Sequence, residues 1–200
     1  SGWSLKDVDL TGYSGEAVRI AFYHKAADDG YASTNDVSTG WYIDDVRIAA
    51  KTPAFSGDFE TGWDDWGADR GVWQVGVPTA GPANCYEGAQ CVGTELSGNH
   101  GPLTDSRLIS PTMVLPAVTG SEEIHLRFMN WFSYSSNDSG QEQVAVWDGL
   151  NWGDWVNVGN YVENTSGWAL KDVDLRGYSG EAVRIAFYHN AADDGYASTN

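Results

Sequence analysis

Basic residues are scarce in this chain. Only 11 of its 200 residues are Lys or Arg, against 28 Asp or Glu, and the formal net charge is −17. Nucleic-acid binding requires lysine and arginine side chains that neutralise phosphates, and anionic membrane surfaces also attract basic clusters. Because the few basic residues are dispersed, we expect the chain to bind neither nucleic acid nor an anionic membrane surface.

Long apolar runs and known catalytic signatures are also missing. No segment approaches the roughly 18 consecutive apolar residues of a membrane-spanning helix, so we predict no membrane insertion within this segment. The sequence has no H-E-x-x-H, no G-x-S-x-G and no phosphate-binding loop. We therefore predict that the chain is not an enzyme, and we assign no catalytic residue.

Cysteine is limited to Cys85 and Cys91, which frame the sequence CYEGAQC. This spacing is not CxxC, and one pair cannot form a four-cysteine zinc site. Five intervening residues that include a glycine form a loop that a disulfide closes easily. We predict this disulfide and, with it, an extracellular or cell-surface location. The alternative is a pair of buried free thiols in a cytosolic protein.

Sustained helical periodicity is absent, and short alternating segments take its place. In EAVRIAFYH (181–189), Val183, Ile185 and Phe187 share one face of a predicted strand. Similar segments occur at 40–48, 124–134, 141–149, 154–161 and 168–175, and 24 glycines supply turns between them. About ten short strands predict an all-β fold of the two-sheet jelly-roll sandwich type.

The chain repeats itself. Ser1–Asn35 aligns without a gap to Ser166–Asn200, at an offset of 165 residues. The copies differ only at Ser4/Ala169, Thr11/Arg176 and Lys25/Asn190, so 35 − 3 = 32 positions are identical. This identity predicts a tandem array with a period of 165 residues, in which neighbouring repeats of the same protein are the main partners.

The repeat also predicts the domain boundaries. Residues 1–50 correspond to the C-terminal third of one repeat, 51–54 to a linker, and 55–200 to the next repeat without its final strand. We expect residues 40–48 to form that type of strand, beside a first strand at 55–60 in a completed domain. The pairing arises either along one chain or by exchange between neighbours.

Seven segments together resemble a known family. Six of them follow one another in the second repeat: DFETGWDDW, VGTELSGNH, SRLISPTMVLP, IHLRFMNWFSY, VAVWDGLNWGDWVNV and VDLRGYSGEAVRIAFYH. The seventh, GWYIDDVRI, ends a repeat, and in this chain it lies at 40–48, at the end of the preceding copy. The chain resembles the bacterial MAM-like jelly-roll modules, namely the choice-of-anchor J, cleaved-adhesin and immune-inhibitor-A-associated group. The resemblance implies a non-catalytic secreted or surface module with structural calcium near the Asp-Asp pair. An acid of the first strand, here Asp58 or Glu60, would join that site.

Further calcium candidates lie in a loop that occurs twice. The segment AADDGYASTND (26–36) contains Asp28, Asp29, Asn35 and Asp36, and its copy contains Asp193 and Asp194. Calcium takes six to eight oxygen ligands at flexible distances, and such a loop supplies several of them. The loop lacks the spacing of an EF-hand, so the alternative is an acidic loop exposed to solvent.

The pair Asp44 and Asp45 in GWYIDDVRI is unusual because its neighbours are apolar. Buried carboxylates are costly unless they are paired or bound to a metal, and adjacent strand residues point to opposite faces. One of the two therefore needs a partner inside the fold. Calcium is one candidate, and an ion pair with Arg47 or Arg19 is the alternative.

Tryptophan is abundant, and Trp147, Trp152 and Trp155 lie close together in WDGLNWGDW. Aromatic faces beside carboxylates suit carbohydrate stacking, although most tryptophans of a small sandwich belong to its core. We therefore keep these three residues as a possible carbohydrate site.

The leading hypothesis for function is structural. Near-identical repeats predict a calcium-stabilised, extracellular fibre or adhesin stalk on a bacterial surface. One alternative is a binding module for glycans or a host protein, displayed in several copies for avidity. Another is an accessory domain of a secreted peptidase.

Overall fold

The structure is a computed structural model. It describes residues 6, 8–25, 40–44, 46–48, 53–120, 122–134, 138–159 and 167–192. Contacts divide the chain into two compact units, Ser1–Lys51 and Thr52–Asn200. The sequence places the linker between repeats at 51–54, and the division falls at its first residue.

The second unit is built from short antiparallel strands. They are β1 (Gly67–Ala68), β2 (Gln74–Gly76), β3 (Cys91–Gly93), β4 (Thr104–Ile109), β5 (Met113–Val114), β6 (His125–Asn130), β7 (Ser139–Val146), β8 (Val156–Asn157), β9 (Ala169–Asp174) and β10 (Ala182–Ala191). The only helical elements among the described residues are 3-10 turns at Thr11–Tyr13 and Arg176–Tyr178. The all-β prediction is therefore confirmed. No described helix is long and apolar enough to cross a membrane.

The larger sheet has six strands, with β10 at its centre. Its order is β1-β4-β10-β7-β8, and β5 pairs with the start of β10. The register places Phe187 of β10 between Leu108 of β4 and Glu142 of β7. Since alternate residues of a strand face opposite sides, Val183, Ile185 and Phe187 share the inner face of this sheet.

A second sheet, β6 paired with β9, covers part of that inner face. Val144, Val183 and Ile185 of the larger sheet form one buried cluster with Val173 of β9 and Ile124. The rings of Phe128 and Phe187 also meet edge to face, with their centroids 4.7 Å apart. The unit is therefore sandwich-like, with its core between six strands on one side and two on the other.

The two copies of the repeated sequence show which structure is encoded locally. Both contain the 3-10 turn, because an aspartate two residues upstream accepts the first amide of the turn in each copy. Asp9 Oδ1 accepts from Thr11 N at 2.8 Å, and Asp174 Oδ1 accepts from Arg176 N at 2.9 Å. The turn therefore depends on adjacent residues alone.

The strand that follows this turn forms in only one copy. AVRIAFYH is the start of β10 at 182–189, whereas the same letters at 17–24 form no strand. Ile185 is 4% exposed and Ile20 is 47% exposed. A strand requires ladder partners and a face to cover, and β4 and β7 supply both to β10.

The described residues of the expected strand at 40–48 are not in a strand. Residues 40–44 and 46–48 belong to no strand of the structure, and residues 55–60 also form no strand. The reason is again the environment: the first unit has no described strand to which Trp41, Ile43 or Ile48 could add. These side chains are 58%, 41% and 73% exposed.

Candidate functional site

Three of the ten predicted metal ligands lie in the described part of the chain: Asp44, Asp58 and Glu60. The other seven, Asp28, Asp29, Asn35, Asp36, Asp45, Asp193 and Asp194, lie outside the described residues. Asp44 belongs to the first unit, whereas Asp58 and Glu60 belong to the second.

Glu60 holds the loop that the disulfide closes. The structure joins Cys85 and Cys91 in this disulfide. The Glu60 carboxylate accepts hydrogen bonds from Ala89 N at 3.0 Å and from Gln90 N at 3.0 Å. These amides hold the pKa of Glu60 below its ordinary value. Gly88 lies against the same carboxylate at φ +68°, and a Cβ there would come within 2.2 Å of Glu60 Oε1.

The two described candidate ligands of the second unit, Asp58 and Glu60, take part in local hydrogen bonds, and most of the other candidates lie outside the described residues, so the calcium site stays a prediction. Both Glu60 oxygens bind backbone amides, and Asp58 Oδ1 accepts from the amide of Glu60 at 3.0 Å. Within the described ranges, no three Asp, Glu, His or Cys side chains come together as a metal site. The role that the structure gives Glu60 is to anchor a loop.

The predicted carbohydrate residues lie on and beside the larger sheet. Trp147 and Trp152 face each other across an isolated β-bridge, with ring centroids 5.4 Å apart. The Arg184 guanidinium lies 4.2 Å from the centroid of Trp152, and Arg184 Nε donates to Thr112 Oγ1 at 3.3 Å. Arginine placed over an aromatic face is a favourable cation–π arrangement.

Trp155 belongs to a second stacked group on this sheet. The guanidinium of Arg107 lies 5.8 Å from the centroid of Trp155 and 4.4 Å from that of Tyr188. Arg107 Nε donates to Gln143 Oε1 at 2.8 Å, and Gln143 Nε2 donates to Asn157 Oδ1 at 2.8 Å. Arg107 is thereby held between two aromatic rings and an amide.

These groups form what we call the outer-face patch. Its members are Trp147, Trp152, Trp155, Arg107, Arg184, Tyr188, Gln143 and Asn157. Arg184 and Tyr188 alternate with Ile185 and Phe187, so they face away from the core. The tryptophans are half-buried, and the patch combines aromatic surface with several hydrogen-bonding groups. The alternation of β10 already indicated the outward Arg184 and Tyr188, but no sequence signal placed Arg107 beside Trp155.

A cleft of about 780 Å³ is lined by residues of the larger sheet, of β6, and of β3 with the segment that follows it. We call it the interior cleft. Its wall includes Leu108, Phe128, Met129, Trp131 and Phe187, which belong to or flank strands of both sheets. The cleft is therefore an opening of the apolar interior, and Tyr188 belongs both to its wall and to the outer-face patch.

Glu142 lies in the wall of the interior cleft and is only 1% exposed. Among the residues that the structure describes, neither of its carboxylate oxygens has a hydrogen-bond partner. Burial raises the pKa of Glu142, and the charge of Lys171 opposes that rise without cancelling it. Such a group destabilises the folded state when it ionises, because water no longer solvates the charge.

His189 is fully buried in a chain of polar contacts, and one of its partners, Tyr134, lines the interior cleft. Thr104 Oγ1 lies 2.7 Å from His189 Nε2, and the Tyr134 hydroxyl contacts Nδ1. Burial lowers the pKa of His189 to about 4, so the imidazole is neutral at neutral pH. The Thr104 hydroxyl, His189 and the Tyr134 hydroxyl resemble a catalytic arrangement in which a histidine activates a nucleophilic hydroxyl and a third group orients the histidine. However, a histidine with this pKa is a weak base, so the geometry favours a structural network.

Comparison with known proteins gives one informative similarity. The chain is 30% identical to Bacillopeptidase F of Bacillus subtilis (strain 168) over 139 residues, which is 68% of this chain and 9% of that protein. No family model matches the chain, and no solved structure matches it. The chain therefore spans a small part of the length of the relative it matches.

Proposed function

We propose that the chain is a non-catalytic extracellular module of a larger protein, of the accessory kind found in a secreted peptidase. The observation that carries this proposal is the similarity to Bacillopeptidase F, whose matched region is 9% of its length. A match of that size corresponds to one module of a long chain. The disulfide between Cys85 and Cys91 supports an oxidising location.

The repeated sequence adds a structural role to this proposal. We infer that the module is a MAM-like jelly roll in tandem, which separates or positions the domains beside it, as in a stalk. Two facing sheets and a 32-of-35 identity at an offset of 165 residues support this arrangement. Modules that bind different ligands usually diverge, whereas spacers keep their function when they are copied.

The purified chain should not hydrolyse fluorescein-labelled casein, because the neutral, hydrogen-bonded His189 is a weak base and the sequence carries no known protease motif. Release of fluorescence is the measurement, with a commercial protease as the positive control. Casein hydrolysis by the purified chain would contradict the non-catalytic assignment.

In the complete reading frame, a peptidase motif outside the matched region would support the accessory role. Further copies of the repeat with a surface anchor would support a stalk.

We also propose that calcium stabilises the protein, through predicted ligands that lie outside the described residues. Its support is the net charge of −17, since divalent cations reduce repulsion between carboxylates. The melting temperature should fall when EDTA removes calcium. Sodium chloride at matched ionic strength controls for simple screening. A melting temperature that EDTA leaves unchanged would exclude calcium as a stabiliser.

The outer-face patch favours glycan binding as a second candidate function. Affinity electrophoresis in gels containing xylan, laminarin or soluble chitin would detect it. Trp152→Ala and Trp155→Ala should each weaken binding by about 0.5–1.5 kcal/mol, or roughly two- to tenfold, because they remove aromatic surface. Trp63→Ala is the matched control, since Trp63 is 39% exposed and lies outside the patch. Equal retardation of all three variants would contradict a sugar site at the patch.

A further inference from the structure

We propose that the outer-face patch takes an acidic glycan, whose sugars carry carboxylates, and that Arg184 binds one of those carboxylates. The inference rests on glycan binding, the second candidate function above, and names the class of sugar that the same patch would select. Uronic acids and sialic acids are the two sources of such a sugar, and both present a carboxylate to an arginine.

Arg184 differs from the other four arginines of the second unit in its partners. Each of those four pairs with an aspartate: Arg70 with Asp105, Arg107 with Asp69, Arg127 with Asp172 and Arg176 with Asp174. Within the described ranges, no carboxylate lies at ion-pair distance from Arg184. In a chain of 28 acidic and 11 basic residues, an arginine without an acidic partner is the exception. Its charge is therefore available to an anion from solution.

The guanidinium of Arg184 is held in place and keeps donors to offer. It lies 4.2 Å from the centroid of Trp152, and its Nε donates to Thr112 Oγ1 at 3.3 Å. Arginine carries five N–H donors, and those on its two terminal nitrogens have no acceptor among the described residues. Two adjacent terminal nitrogens match the two oxygens of a carboxylate. Because the side chain is already fixed, binding costs it little further rotamer freedom.

Small side chains surround Arg184 on this face of the sheet. Ala145 of β7 lies directly opposite Arg184, and Ala186 is the next residue of β10 on the same face. They are 2% and 0% exposed, so larger neighbours cover them. Arg184 itself is partly exposed, as is Trp152. A ligand can therefore reach the guanidinium and the indole from the same side.

The loop that brings the tryptophans to Arg184 does not bring it an acidic partner. The loop contains two exposed acids, Asp148 and Asp154. Asp148 Oδ1 accepts from the amides of Leu150 and Asn151, at 2.7 and 2.6 Å, so this carboxylate serves its own turn. Neither acid forms an ion pair with Arg184 in the described part of the chain.

The combination of one unpaired arginine and aromatic surface favours a carboxylated sugar over other anions. Nucleic acids and anionic membranes require several basic residues, whereas one guanidinium suffices for one carboxylate. The carboxylate of a uronic acid projects from its sugar ring, so a ring packed on a tryptophan can direct it toward Arg184. The net charge of −17 opposes long polyanions, but salt screens that repulsion beyond about 8 Å. Short oligosaccharides are therefore the suitable probes.

Isothermal titration calorimetry of the full chain with trigalacturonic acid tests the inference. The matched ligand is its methyl ester, which keeps the sugar rings and removes the charges. We expect the acid to bind about tenfold more tightly than the ester, because only the acid forms a charge-assisted pair with Arg184. 3′-Sialyllactose against lactose makes the same comparison for sialic acid.

Arg184→Gln should abolish the preference for the acid, whereas Arg176→Gln should keep it. Arg176→Gln removes the same charge at an exposed position outside the patch. The first copy has Thr11 at the equivalent place and forms the same turn, so this control preserves the local fold. Arg184→Lys keeps the charge without the paired donors, and its preference should lie between the two. Circular dichroism would verify folding, and the comparison of acid with ester on the unaltered protein needs no variant.

The outcomes separate this inference from glycan binding itself. A preference for either acidic probe that depends on Arg184 would support the inference and identify the acid. Equal affinity for acid and neutral partner, with binding weakened in Trp152→Ala, would overturn the role of the carboxylate and leave the glycan site standing. If no acidic probe binds, the inference is overturned, and the gels with neutral glycans decide the glycan site separately. Equal loss of preference in Arg184→Gln and Arg176→Gln would show a long-range charge effect and would also overturn it.

Discussion

Replacing Ile185 with alanine should lower the free energy of unfolding by about 2–5 kcal/mol, whereas the same change at Ile20 should cost less than about 0.5 kcal/mol. Ile185 is 4% exposed within the core cluster, and Ile20 is 47% exposed. The larger cost combines lost burial with the cavity left behind. Urea unfolding followed by tryptophan fluorescence measures both values.

This comparison is unusually well controlled. The two isoleucines occupy the same place in AVRIAFYH, so helix or strand propensity and neighbouring residues are identical. Any difference in cost must come from tertiary surroundings. Equal losses at Ile185 and Ile20 would show that the first copy is also packed against a sheet, contrary to its exposure.

Replacing Glu142 with glutamine should raise the free energy of unfolding at neutral pH by about 1 kcal/mol or more. The folded protein buries both carboxylate oxygens, and neither has a hydrogen-bond partner within the described ranges; an unsatisfied charged group costs at least this much. Glutamine keeps the shape of the side chain but removes the charge. Urea midpoints of the two proteins at neutral pH give the difference.

The pH dependence should distinguish loss of charge from a packing effect. Burial raises the pKa of Glu142 in the folded state above its ordinary value of 4.5. The stability linked to its proton is therefore fully present below the unfolded pKa and is lost as pH rises through the folded pKa. The advantage of Glu142→Gln should vanish in acid and grow toward neutral pH.

Glu87→Gln serves as the control for the same change of charge at an exposed position. Because Glu87 is exposed, the change should leave stability nearly unchanged at neutral pH. If Glu142→Gln lowered stability at neutral pH, the carboxylate would instead have a stabilising interaction, with Lys171 as the candidate.

The sequence predicted those parts of the fold that depend on local pattern. Alternation at 181–189 predicted β10, and the runs at 124–134, 141–149 and 168–175 contain β6, most of β7 and β9. The segment at 40–48 has an equally clear pattern, yet its described residues form no strand. Alternation states which face a strand would bury, but the sheet that receives it lies elsewhere in the chain.

The site was less predictable because its contacts join residues distant in sequence. Trp152 and Trp155 were identified by composition, whereas Arg184 and Arg107 reach them from β10 and β4. Glu60 was predicted as a metal ligand from family resemblance, a prediction that stays untested, and no sequence signal indicated that its carboxylate accepts amides about 30 residues away. A carboxylate suits both roles, so only the position of its neighbours decides between them.

The anchoring of the 85–91 loop by Glu60 has a consequence for recovery from reducing conditions. A reductant breaks the covalent bond between Cys85 and Cys91, yet the hydrogen bonds from Ala89 and Gln90 to the Glu60 carboxylate do not depend on it. The two thiols would stay close together after reduction, and their high effective concentration would favour rapid return to the same pair. Because the pKa of Glu60 is lowered, its carboxylate stays ionised at moderately acidic pH, and the hydrogen bonds that hold the loop persist there.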